Sequence, residues 1–472
     1  MLYDRVADRM SELIARGALR PGDRMPSVRE LARQERVSTA TVIQAYVQLE
    51  ARGLVEVRPQ SGHYVRRPVT ALPEPRPARS SSVAIRPTVA HLVSKVYKAI
   101  RDPRIVNLGA AFPSPELLPT EKINRLLAQV AKTAGGVGVM YDPPPGCPAL
   151  RRQIARRMAH VGCAVTENDV LTTVGAMEAL DIALRAVTKP GDTIALESPA
   201  YYGLLQLIES LGIKAIEIPA HARTGMDLDA LEDTIRTHTV AAVMAIPAFN
   251  NPLGSRMPDD AKARLVSMLA AREIPLIEDD IYGDLPFEGD RPRPAKAWDR
   301  DGGVLLCSSF SKTIAPGYRV GWIAGGRWRE TIEQIKFAQT VSTATLPQLA
   351  IAELIDSGGY DQHLRRLRRA LAAQVTRTRE AIAETFPEGT RVSDPTGGFV
   401  LWVELPPGVS AVDLHARALE RSISVAPGPI FSAKQRFSNY LRISCGLPWD
   451  SRVENAIATL GHLACDLSRR SS

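Results

Sequence analysis

The first 65 residues combine helical spacing of apolar residues with a short alternating stretch at the end. Three runs with apolar residues every three or four positions begin at Leu2, Ser27 and Ser38, and a glycine ends the first and the third. Ser27, followed three residues later by a glutamate, is a helix N-cap signature. Residues 54–58 and 63–66 alternate across a Pro-Gln-Ser-Gly turn, as a β-hairpin does. The pattern predicts three helices and a hairpin.

From Asn107 onward, short apolar runs alternate with stretches of helical spacing. This alternation predicts the α/β class, with a mostly parallel sheet flanked by helices on both faces. The runs predicted as strands are 169–173, 193–196, 240–246, 274–277 and 304–307. Because ligands collect at the carboxyl ends of the strands in such sheets, the residues that follow these runs are the candidates for chemistry.

A segment rich in proline and arginine separates the two patterns. Residues 67–90 hold five prolines, three consecutive serines and few apolar residues, a composition typical of a semi-extended linker that lets two modules pivot. We expect a first domain over 1–66, this linker, and a large domain over 91–472 that opens with a helix at 91–100. The last part of the large domain, about 355–472, is expected to form a smaller α+β subdomain.

Composition and charge point to a partner for the N-terminal part. The chain has 472 residues, of which 45% are hydrophobic and 23% charged, as in a globular protein of at least two domains. The net charge is +8, but residues 1–104 hold 19 Lys and Arg against 10 Asp and Glu, so the remainder is nearly neutral. Basic charge confined to one end predicts a polyanion partner for that end only.

The sequence also lacks the features that would indicate several other classes of protein. No run of eighteen apolar residues and no leader with a basic start and an apolar centre occurs, so we expect a soluble, cytoplasmic protein with no membrane partner. The five cysteines are scattered without C-x-x-C spacing, which argues against a disulfide framework and against a zinc site. We therefore expect no metal.

Three helices and a hairpin describe a winged helix-turn-helix, whose third helix enters the major groove of DNA. The segments PGDRMPSVRELA (21–32), STATVIQAY (38–46) and LEARGLVEVRPQSGHYV (49–65) resemble the GntR group of transcription regulators. The resemblance implies double-stranded DNA as the partner. The side chains that it places on DNA are Arg29, Ser38, Thr39, Thr41 and Gln44, with Arg58, Ser61 and His63 in the wing. Thr39 and His63 differ from the residues common in that group, which leaves the operator sequence open.

The stretch from Val304 to Trp322 carries the strongest chemical signal. An apolar run of the kind buried on both faces precedes hydroxyl residues around one lysine, Lys312. Partial desolvation at such a position lowers the pKa of a lysine and makes a neutral amine available. Ser309 and Arg319 suit a phosphate beside this amine, which points to pyridoxal 5′-phosphate (PLP) as a Schiff base. The S-x-x-K pattern of penicillin-binding enzymes also fits, but no S-D-N or K-T-G motif follows.

Other strand ends carry residues that suit the same cofactor, although each also has an ordinary structural explanation. Gly175 permits a tight turn, and the first N–H groups of the following helix suit an anion. Tyr201 suits stacking on a planar ring, or simply the edge of a core. Asn251 suits a phenolic oxygen, or an Asn-Pro turn. Asp279 at a buried strand end needs a cation or a donor, which a pyridinium N–H or a salt bridge supplies.

Taken together, these motifs resemble fold-type I PLP-dependent aminotransferases over residues 105–470. The motifs in order are G-A-M-E-A, E-S-P-A-Y, N-N-P-L-G, D-D-I-Y, S-S-F-S-K, then Arg319, then N-Y-L-R-I-S. The resemblance implies a cofactor set of Tyr141, Gly175, Ala176, Met177, Tyr201, Asn251, Asp279, Tyr282, Ser309, Lys312 and Arg319.

Each of these residues has a role that the resemblance implies. Lys312, Asp279 and Tyr201 are the catalytic residues: the lysine forms the internal aldimine, the aspartate keeps the pyridine nitrogen protonated, and the tyrosine stacks on the ring. Asn251 and Tyr282 hold the phenolic oxygen, and the glycine turn, Ser309 and Arg319 take the phosphate. Arg442 clamps the α-carboxylate of an amino acid. Tyr141 reaches the phosphate of a neighbouring subunit, which implies a homodimer.

A GntR-like reader fused to an aminotransferase-like module resembles the MocR family of PLP-dependent regulators. The family implies a transcription regulator that senses an amine, an amino acid or PLP itself through the Lys312 aldimine. Within it, EDDIYGDL at 278–285 is closer to an enzyme-like subgroup than to the EDDYD pattern of other members, which leaves the effector open. The alternative hypothesis is a working aminotransferase with a DNA-binding appendage, because lysine, aspartate and arginine are all present.

Overall fold

Two units divide the chain, Met1–Ala71 and Leu72–Ser472. The computed structural model describes residues 2–51, 53–58, 61–65, 72–78, 83–88, 93 and 102–471. Within these ranges, no helix is long and apolar enough to cross a membrane, and no group of His, Cys, Asp and Glu is arranged to hold a metal ion. All five cysteines carry free thiols.

The smaller unit has the three helices and the hairpin predicted from its periodicity. The elements are α1 (Leu2–Ala15), α2 (Val28–Glu35), α3 (Thr39–Ala51), β1 (Val55–Arg58) and β2 (Gly62–Val65). The side chain of Ser27 caps α2 by accepting a hydrogen bond from the Glu30 N–H at 3.2 Å, as the cap signature predicted. The strands pair antiparallel, with Val55 opposite Val65. Buried apolar residues from all three helices and the hairpin form one core, so the winged helix-turn-helix prediction is confirmed.

Part of the segment predicted as a linker over 67–90 forms backbone hydrogen bonds with the larger unit. The N–H of Val392 donates to the carbonyl of Pro73 at 2.9 Å. Ile85 and Ala215 exchange backbone hydrogen bonds of 3.1 and 2.8 Å. Backbone pairing outweighs the extended composition here, because it satisfies polar groups that would otherwise remain unpaired. The helix predicted at 91–100 lies outside the described residues, apart from one position.

A mostly parallel sheet forms the centre of the larger unit. Its strands are β4 (Val170–Thr173), β5 (Thr193–Ser198), β6 (Lys214–His221), β7 (Gly225–Met226), β8 (Ala242–Ala245), β9 (Leu276–Asp279), β10 (Val304–Ser309) and β11 (Gly321–Ala324). Their order is β4-β11-β10-β9-β8-β5-β6-β7. The central strands from β10 to β6 pair in parallel, whereas β11 is antiparallel to both of its neighbours. All five predicted strands are present.

Both faces of this sheet are covered, as continuous apolar strands require. Leu305 and Leu306 are successive residues of β10, and they belong to two different core clusters. The helices of this part are α4 (Thr120–Thr133), α5 (Pro148–His160), α6 (Ala176–Val187), α7 (Tyr202–Ser210), α8 (Leu228–Thr237), α9 (Asp259–Ala270) and α10 (Arg329–Thr340).

The C-terminal part adds a second sheet and more helices. Its elements are α11 (Thr345–Asp356), α12 (Gly359–Thr385), β12 (Arg391–Val392), β13 (Val400–Glu404), α13 (Ala411–Glu420), β14 (Ile423–Ser424), β15 (Ala426–Pro427), β16 (Tyr440–Ser444) and α14 (Ser451–Ser471). The second sheet has the strand order β12-β13-β16-β15, and its neighbouring strands are antiparallel. Strand β14 pairs in parallel with β3 (Val106–Asn107). This pairing joins the start of the large unit to its C-terminal part.

Candidate functional site

Polar residues meet at one edge of the main sheet. Because β11 is antiparallel to both β4 and β10, these two strands run in the same direction as β5, β8 and β9. Asp279 is the last residue of β9, Ser309 is the last residue of β10, and Lys312 follows three positions later. Gly175 and Asn251 follow β4 and β8. The parallel arrangement therefore brings the predicted residues to a shared edge.

Lys312 is half-buried, and its environment favours the neutral amine. Its Nζ donates to the carbonyl of Ala111 at 2.6 Å. The pKa of Lys312 is lowered to about 8: burial is the largest cause, the positive charges of Arg442 and Arg319 also lower it, and Asp279 opposes them. A pKa near neutrality leaves an appreciable fraction of unprotonated amine, which is the nucleophilic form.

The Asp279 carboxylate is buried beside this amine. Its Oδ1 accepts a hydrogen bond from the Ile281 N–H at 3.1 Å. Burial raises the pKa of Asp279 to about 7, and Asp280 adds to the rise, while the Ile281 bond and the Lys312 charge oppose it. A cationic N–H facing this carboxylate would lower the pKa again and keep the group ionised. The site is therefore suited to a protonated pyridine nitrogen.

Asn251, Tyr282 and Arg442 form a chain of hydrogen bonds. Asn251 Nδ2 donates to Tyr282 Oη at 3.2 Å, and Arg442 Nη1 donates to Asn251 Oδ1 at 3.1 Å. Burial raises the pKa of Tyr282 far above its usual range, so its hydroxyl remains a donor. The structure thus brings together three residues that lie far apart in the sequence, on β16 and after β8 and β9.

Arg442 is fully buried without a carboxylate partner among the described residues. Its Nη2 donates to the carbonyl of Gly109, and its Nε has no hydrogen-bond partner. The guanidinium carbon lies 5.5 Å from the ring centroid of Tyr202 and 5.2 Å from that of Phe431. Sequence reasoning did not identify these two aromatic neighbours. A buried cation held only by neutral groups is a receptor for an anion, because desolvation of the charge is otherwise uncompensated.

Two glycines and Arg319 form a cradle at the start of α6. Gly175 has φ +79, and it begins α6 without a side-chain cap, so the first N–H groups of the helix remain available. A Cβ at Gly175 would overlap the Arg319 guanidinium, and a Cβ at Gly321 would lie 2.5 Å from the Gly175 carbonyl carbon. Arg319 Nη2 donates to the Val174 carbonyl at 3.1 Å. This close approach suits a phosphate, and sequence reasoning missed Gly321.

The two tyrosines assigned to the cofactor lie in different surroundings. Tyr201 is half-buried after β5, with its ring centroid 4.9 Å from that of Tyr202. A Cβ at Gly203 would lie 2.7 Å from the Tyr201 ring, so the ring rests directly on that glycine. Tyr141, by contrast, is 78% exposed. Stacking by Tyr201 and reach across subunits by Tyr141 both stay predictions.

Two carboxylates that sequence reasoning missed, the buried Glu197 and the half-buried Glu178, stabilise segments of the site. Glu197 Oε2 accepts hydrogen bonds from Asn250 Nδ2 at 2.7 Å and from the Ile246 N–H at 2.8 Å, which fixes the loop after β8. Burial raises the pKa of Glu197 to about 7. At the start of α6, Glu178 Oε2 accepts from Lys336 Nζ at 2.7 Å. An acidic residue inside an apolar run is a signal for such a partner, because a buried charge must be paired.

The arrangement fits PLP as the sequence predicted it. The cradle that a Cβ would fill suits the phosphate, and the carboxylate of Asp279 suits the ring nitrogen. Asn251 and Tyr282 offer donors to the phenolic oxygen, and Lys312 offers an amine of lowered pKa. None of these contacts with the cofactor uses the guanidinium of Arg442, which is therefore available to a carboxylate.

In the smaller unit, the predicted DNA-facing residues lie on α2 and at the start of α3. Arg29, Thr39 and Gln44 are exposed. Ser38 Oγ accepts from the Thr41 N–H at 3.1 Å and lies 2.9 Å from Thr41 Oγ1, so both hydroxyls also stabilise the start of α3. An exposed face at this helix is the geometry that groove recognition requires.

The predicted wing residues are less uniform. Ser61 Oγ lies 2.6 Å from Tyr64 Oη. The ring centroid of His63 lies 4.6 Å from that of Tyr46, and burial lowers the pKa of His63. His63 thus packs its ring towards the helices, and its contact with DNA stays a prediction. Arg58 is the last residue of β1, and its side chain lies outside the described part of the chain.

Comparison with known proteins agrees with this division. Residues 2–65 match the model of bacterial regulatory proteins of the gntR family, and residues 104–460 match that of aminotransferase class I and II. The chain is 39% identical to the uncharacterized HTH-type transcriptional regulator YdcR of Escherichia coli over 98% of each chain. It is 38% identical to the regulator YjiR of the same organism, over 97% of this chain and 98% of that one. The crystal structure of LysN, an α-aminoadipate aminotransferase from Thermus thermophilus, is similar with a TM-score of 0.74 and 29% identity, covering 81% of this chain and all of that one.

We expect Gly175→Ala to weaken PLP binding roughly tenfold or more, because the added methyl group displaces the Arg319 guanidinium from the cradle. The matched control is Gly191→Ala, where φ is also positive (+95) but no atom lies within 4 Å of the new Cβ. Both variants should lose about 1 kcal/mol or more of unfolding free energy. Absorbance titration with PLP and thermal unfolding measure the two effects. Equal PLP affinity in the two variants would contradict the cradle.

In the cofactor-free protein, acylation of Lys312 should follow a titration curve with its midpoint at about 8. The amine is protonated and unreactive below the midpoint, and it is neutral above it. Asp279→Asn removes a negative charge that stabilises the ammonium, so the midpoint should fall; Arg442→Gln removes a positive charge, so it should rise. Mass spectrometry of the peptide that contains Lys312 gives the rates. A midpoint near 10.4 in all three proteins, the value of an exposed lysine, would contradict the assigned environment.

Proposed function

The chain belongs to the aminotransferase class I and II family over residues 104–460 and to the gntR family over residues 2–65, the fusion typical of MocR regulators, and we propose that it senses an amino acid or amine and regulates transcription accordingly. The two relatives that match over nearly their whole length are both named as transcriptional regulators. The basic N-terminal part, 19 Lys and Arg against 10 Asp and Glu over residues 1–104, supports double-stranded DNA as the partner. A role on DNA places the protein in the cytoplasm.

The cofactor of the large unit is PLP. When bound, it supplies an aldehyde carbon for the Lys312 amine and an electron-withdrawing pyridinium ring. LysN was solved as a complex with N-(5′-phosphopyridoxyl)-L-leucine, in which an amino acid is joined to the cofactor skeleton. The lowered pKa of Lys312 and the buried Asp279 carboxylate support the same use of this site.

One observation carries the effector assignment: the guanidinium of Arg442 is buried without a carboxylate partner among the described residues. Its positive charge is also close enough to Lys312 to contribute to the lowered pKa of that amine. An α-amino acid has both groups that this arrangement receives, an amine to compete with Lys312 and a carboxylate for Arg442. Two parallel hydrogen bonds from a guanidinium to a carboxylate also select geometry. We therefore favour amino acids over simple amines as effectors.

Regulation requires that the effector distinguish two states of the protein. A ligand shifts the DNA-bound population only by the difference between its affinities for those states. Arg442 lies on β16 in the C-terminal sheet, whereas Lys312 follows β10 in the main sheet. A ligand held by both residues connects the two sheets, and this is where we locate the differential affinity.

Homodimerisation is supported by an exposed apolar patch. The side chains of this patch are Val137 (62% exposed), Val139 (86%), Met140 (69%) and Tyr141 (78%). A contiguous cluster of such residues is uncommon on a monomer surface and is typical of a protein interface. A dimer that covers the patch would carry Tyr141 into the neighbouring subunit, as the resemblance implies. Two winged helices then predict two half-sites on DNA.

The rival function is catalysis of transamination. The presence of Lys312, Asp279 and Arg442 in one site favours it specifically, since an aminotransferase needs these three groups. LysN is named as an aminotransferase, and its likeness covers the large unit of this chain. The two functions differ in what happens after the amino acid binds: an enzyme turns over repeatedly, and a sensor retains its ligand.

DNA retention in the presence of effectors tests the proposal. A duplex selected from a random pool should bind the full-length protein, and α-amino acids should change its Kd more than their decarboxylated amines do, because only the acids engage Arg442. Arg442→Gln should abolish the response and keep DNA binding. Arg29→Ala should weaken binding to every sequence and flatten the salt dependence by about one charge. Fluorescence anisotropy across salt concentrations measures both.

Controls separate the regulator from the enzyme. Lys312→Ala should lose the visible absorbance of the bound cofactor, whereas Lys189→Ala, an exposed lysine in a turn, should keep it. Sustained turnover of amino acid and 2-oxo acid without DNA retention would remove the regulator and leave the enzyme. An amino acid response that survives in Arg442→Gln would show that the carboxylate is read elsewhere.

The dimer has its own test. The double substitution Val139→Asp and Met140→Asp places two charges in the apolar patch, and it should weaken association by roughly 2 kcal/mol or more. The control is Val412→Asp, which charges an exposed valine on α13. Sedimentation velocity across protein concentrations reports the oligomeric state. A wild-type monomer, or a double variant as dimeric as the control, would contradict the assignment.

A further inference from the structure

A cavity lies at the starts of α4 and α12, and none of the residues assigned to PLP lines it. Its volume is about 670 Å³. Four cationic side chains line it: Lys122, Arg125, Arg366 and Arg369. Two carboxylates, Glu116 and Glu121, also reach it, which leaves an excess of positive charge. We call it the α4–α12 cavity.

The cations of the α4–α12 cavity are not neutralised within the described part of the chain. None of the four forms a salt bridge there, whereas Arg157, Arg264 and Arg291 elsewhere in this unit each pair with two carboxylates. Four unpaired cations around one concave surface repel each other, so an anion placed between them lowers the free energy.

The helix starts add to this positive potential. Neither α4 nor α12 has a side-chain cap at its N-terminus, and the partial positive charge of each helix end therefore faces the cavity. Gly359 is the first residue of α12, and a Cβ at this position would overlap the Lys122 ammonium. An ammonium against a helix N-terminus is unfavourable by itself, since like charges meet. A bound anion would make both favourable.

His363 supplies an independent sign of a ligand. It lines the cavity but is only 5% exposed, and its Nδ1 has no hydrogen-bond partner. Its Nε2 lies 2.7 Å from the carbonyl oxygen of Thr313, so Nε2 carries the proton and donates. Burial lowers the pKa of His363 to about 4, so the ring is neutral at pH 7 and Nδ1 is an unpaired acceptor. A ligand that satisfies it must bring a donor as well as negative charge.

We propose that the α4–α12 cavity binds inorganic phosphate. Hydrogen phosphate combines charged oxygens for the four cations with one hydroxyl that can donate to His363. This site goes beyond the proposed function, because it is separate from the PLP cradle.

Two short paths connect the cavity to Lys312. His363 on the cavity wall donates to the carbonyl of Thr313, the residue after the lysine. Pro115, which also lines the cavity, lies four residues from Ala111, whose carbonyl accepts from Lys312 Nζ at 2.6 Å. Phosphate in the cavity is therefore placed to influence the position of the amine.

Calorimetric titration of the full chain tests this site, with the protein saturated with PLP so that the cradle is occupied. Inorganic phosphate is titrated at constant ionic strength, with malonate as a dicarboxylate comparison. Arg125→Gln and Arg366→Gln, on two different helices, should each reduce phosphate affinity roughly tenfold or more. Arg365→Gln is the matched control, because this exposed neighbour does not line the cavity.

Three results would overturn the proposal. The first is no saturable phosphate binding by the PLP-saturated protein, and the second is an equal affinity in Arg366→Gln and Arg365→Gln. The third is malonate binding as tight as phosphate, since a dicarboxylate at neutral pH lacks the donor for His363 and would show a site that reads charge alone. Thermal unfolding, which a ligand of the native state shifts upward, checks that each variant is folded and repeats the comparison. Failure here leaves the amino acid response at Lys312 and Arg442 unaffected.

Discussion

The buried charge of Arg442 is the constraint around which the large unit is arranged. Burying a cation costs several kcal/mol unless partners compensate it, and here the partners are neutral: the Gly109 carbonyl, the Asn251 amide and two aromatic faces. Burial is the largest cause of the lowered pKa of Lys312, and the uncompensated charge of Arg442 adds to it. One buried guanidinium thus prepares the nucleophile and keeps a place for a carboxylate, two properties that an internal salt bridge would remove.

Strand direction determines how these groups meet. In a parallel sheet the carboxyl ends of neighbouring strands share an edge, so Asp279 and Lys312 come together although 33 positions separate them in the chain. The antiparallel strand β11 begins at this same edge, opposite the end of β10, and its first residue, Gly321, packs against Gly175. The same packing that closes the sheet forms the cradle. Fold and cofactor site therefore depend on the same contacts, and a change at either glycine affects both.

Periodicity by itself determined the framework of both units. Helical spacing with a Ser27 cap gave the helices of the smaller unit, and continuous apolar runs gave the strands that end beside Gly175, Asn251, Asp279 and Lys312. These predictions succeed because local backbone preference and burial on both faces of a sheet determine which residue types occur next to each other in the sequence. The edge rule of parallel sheets then converts strand order into spatial proximity.

Tertiary structure alone decided what depends on contacts between distant residues. Arg442 and Gly109 are 333 positions apart, and no spacing in the sequence reveals that one accepts from the other. The same holds for the backbone hydrogen bonds between Ile85 and Ala215, which attach a stretch with the composition of a linker to the large unit. It also holds for the unpaired cations at the starts of α4 and α12. The burial of a residue and the electrostatic potential at it depend on every residue packed around it. Shifted pKa values, an unsatisfied guanidinium and a charged cavity therefore arise only when the chain has folded.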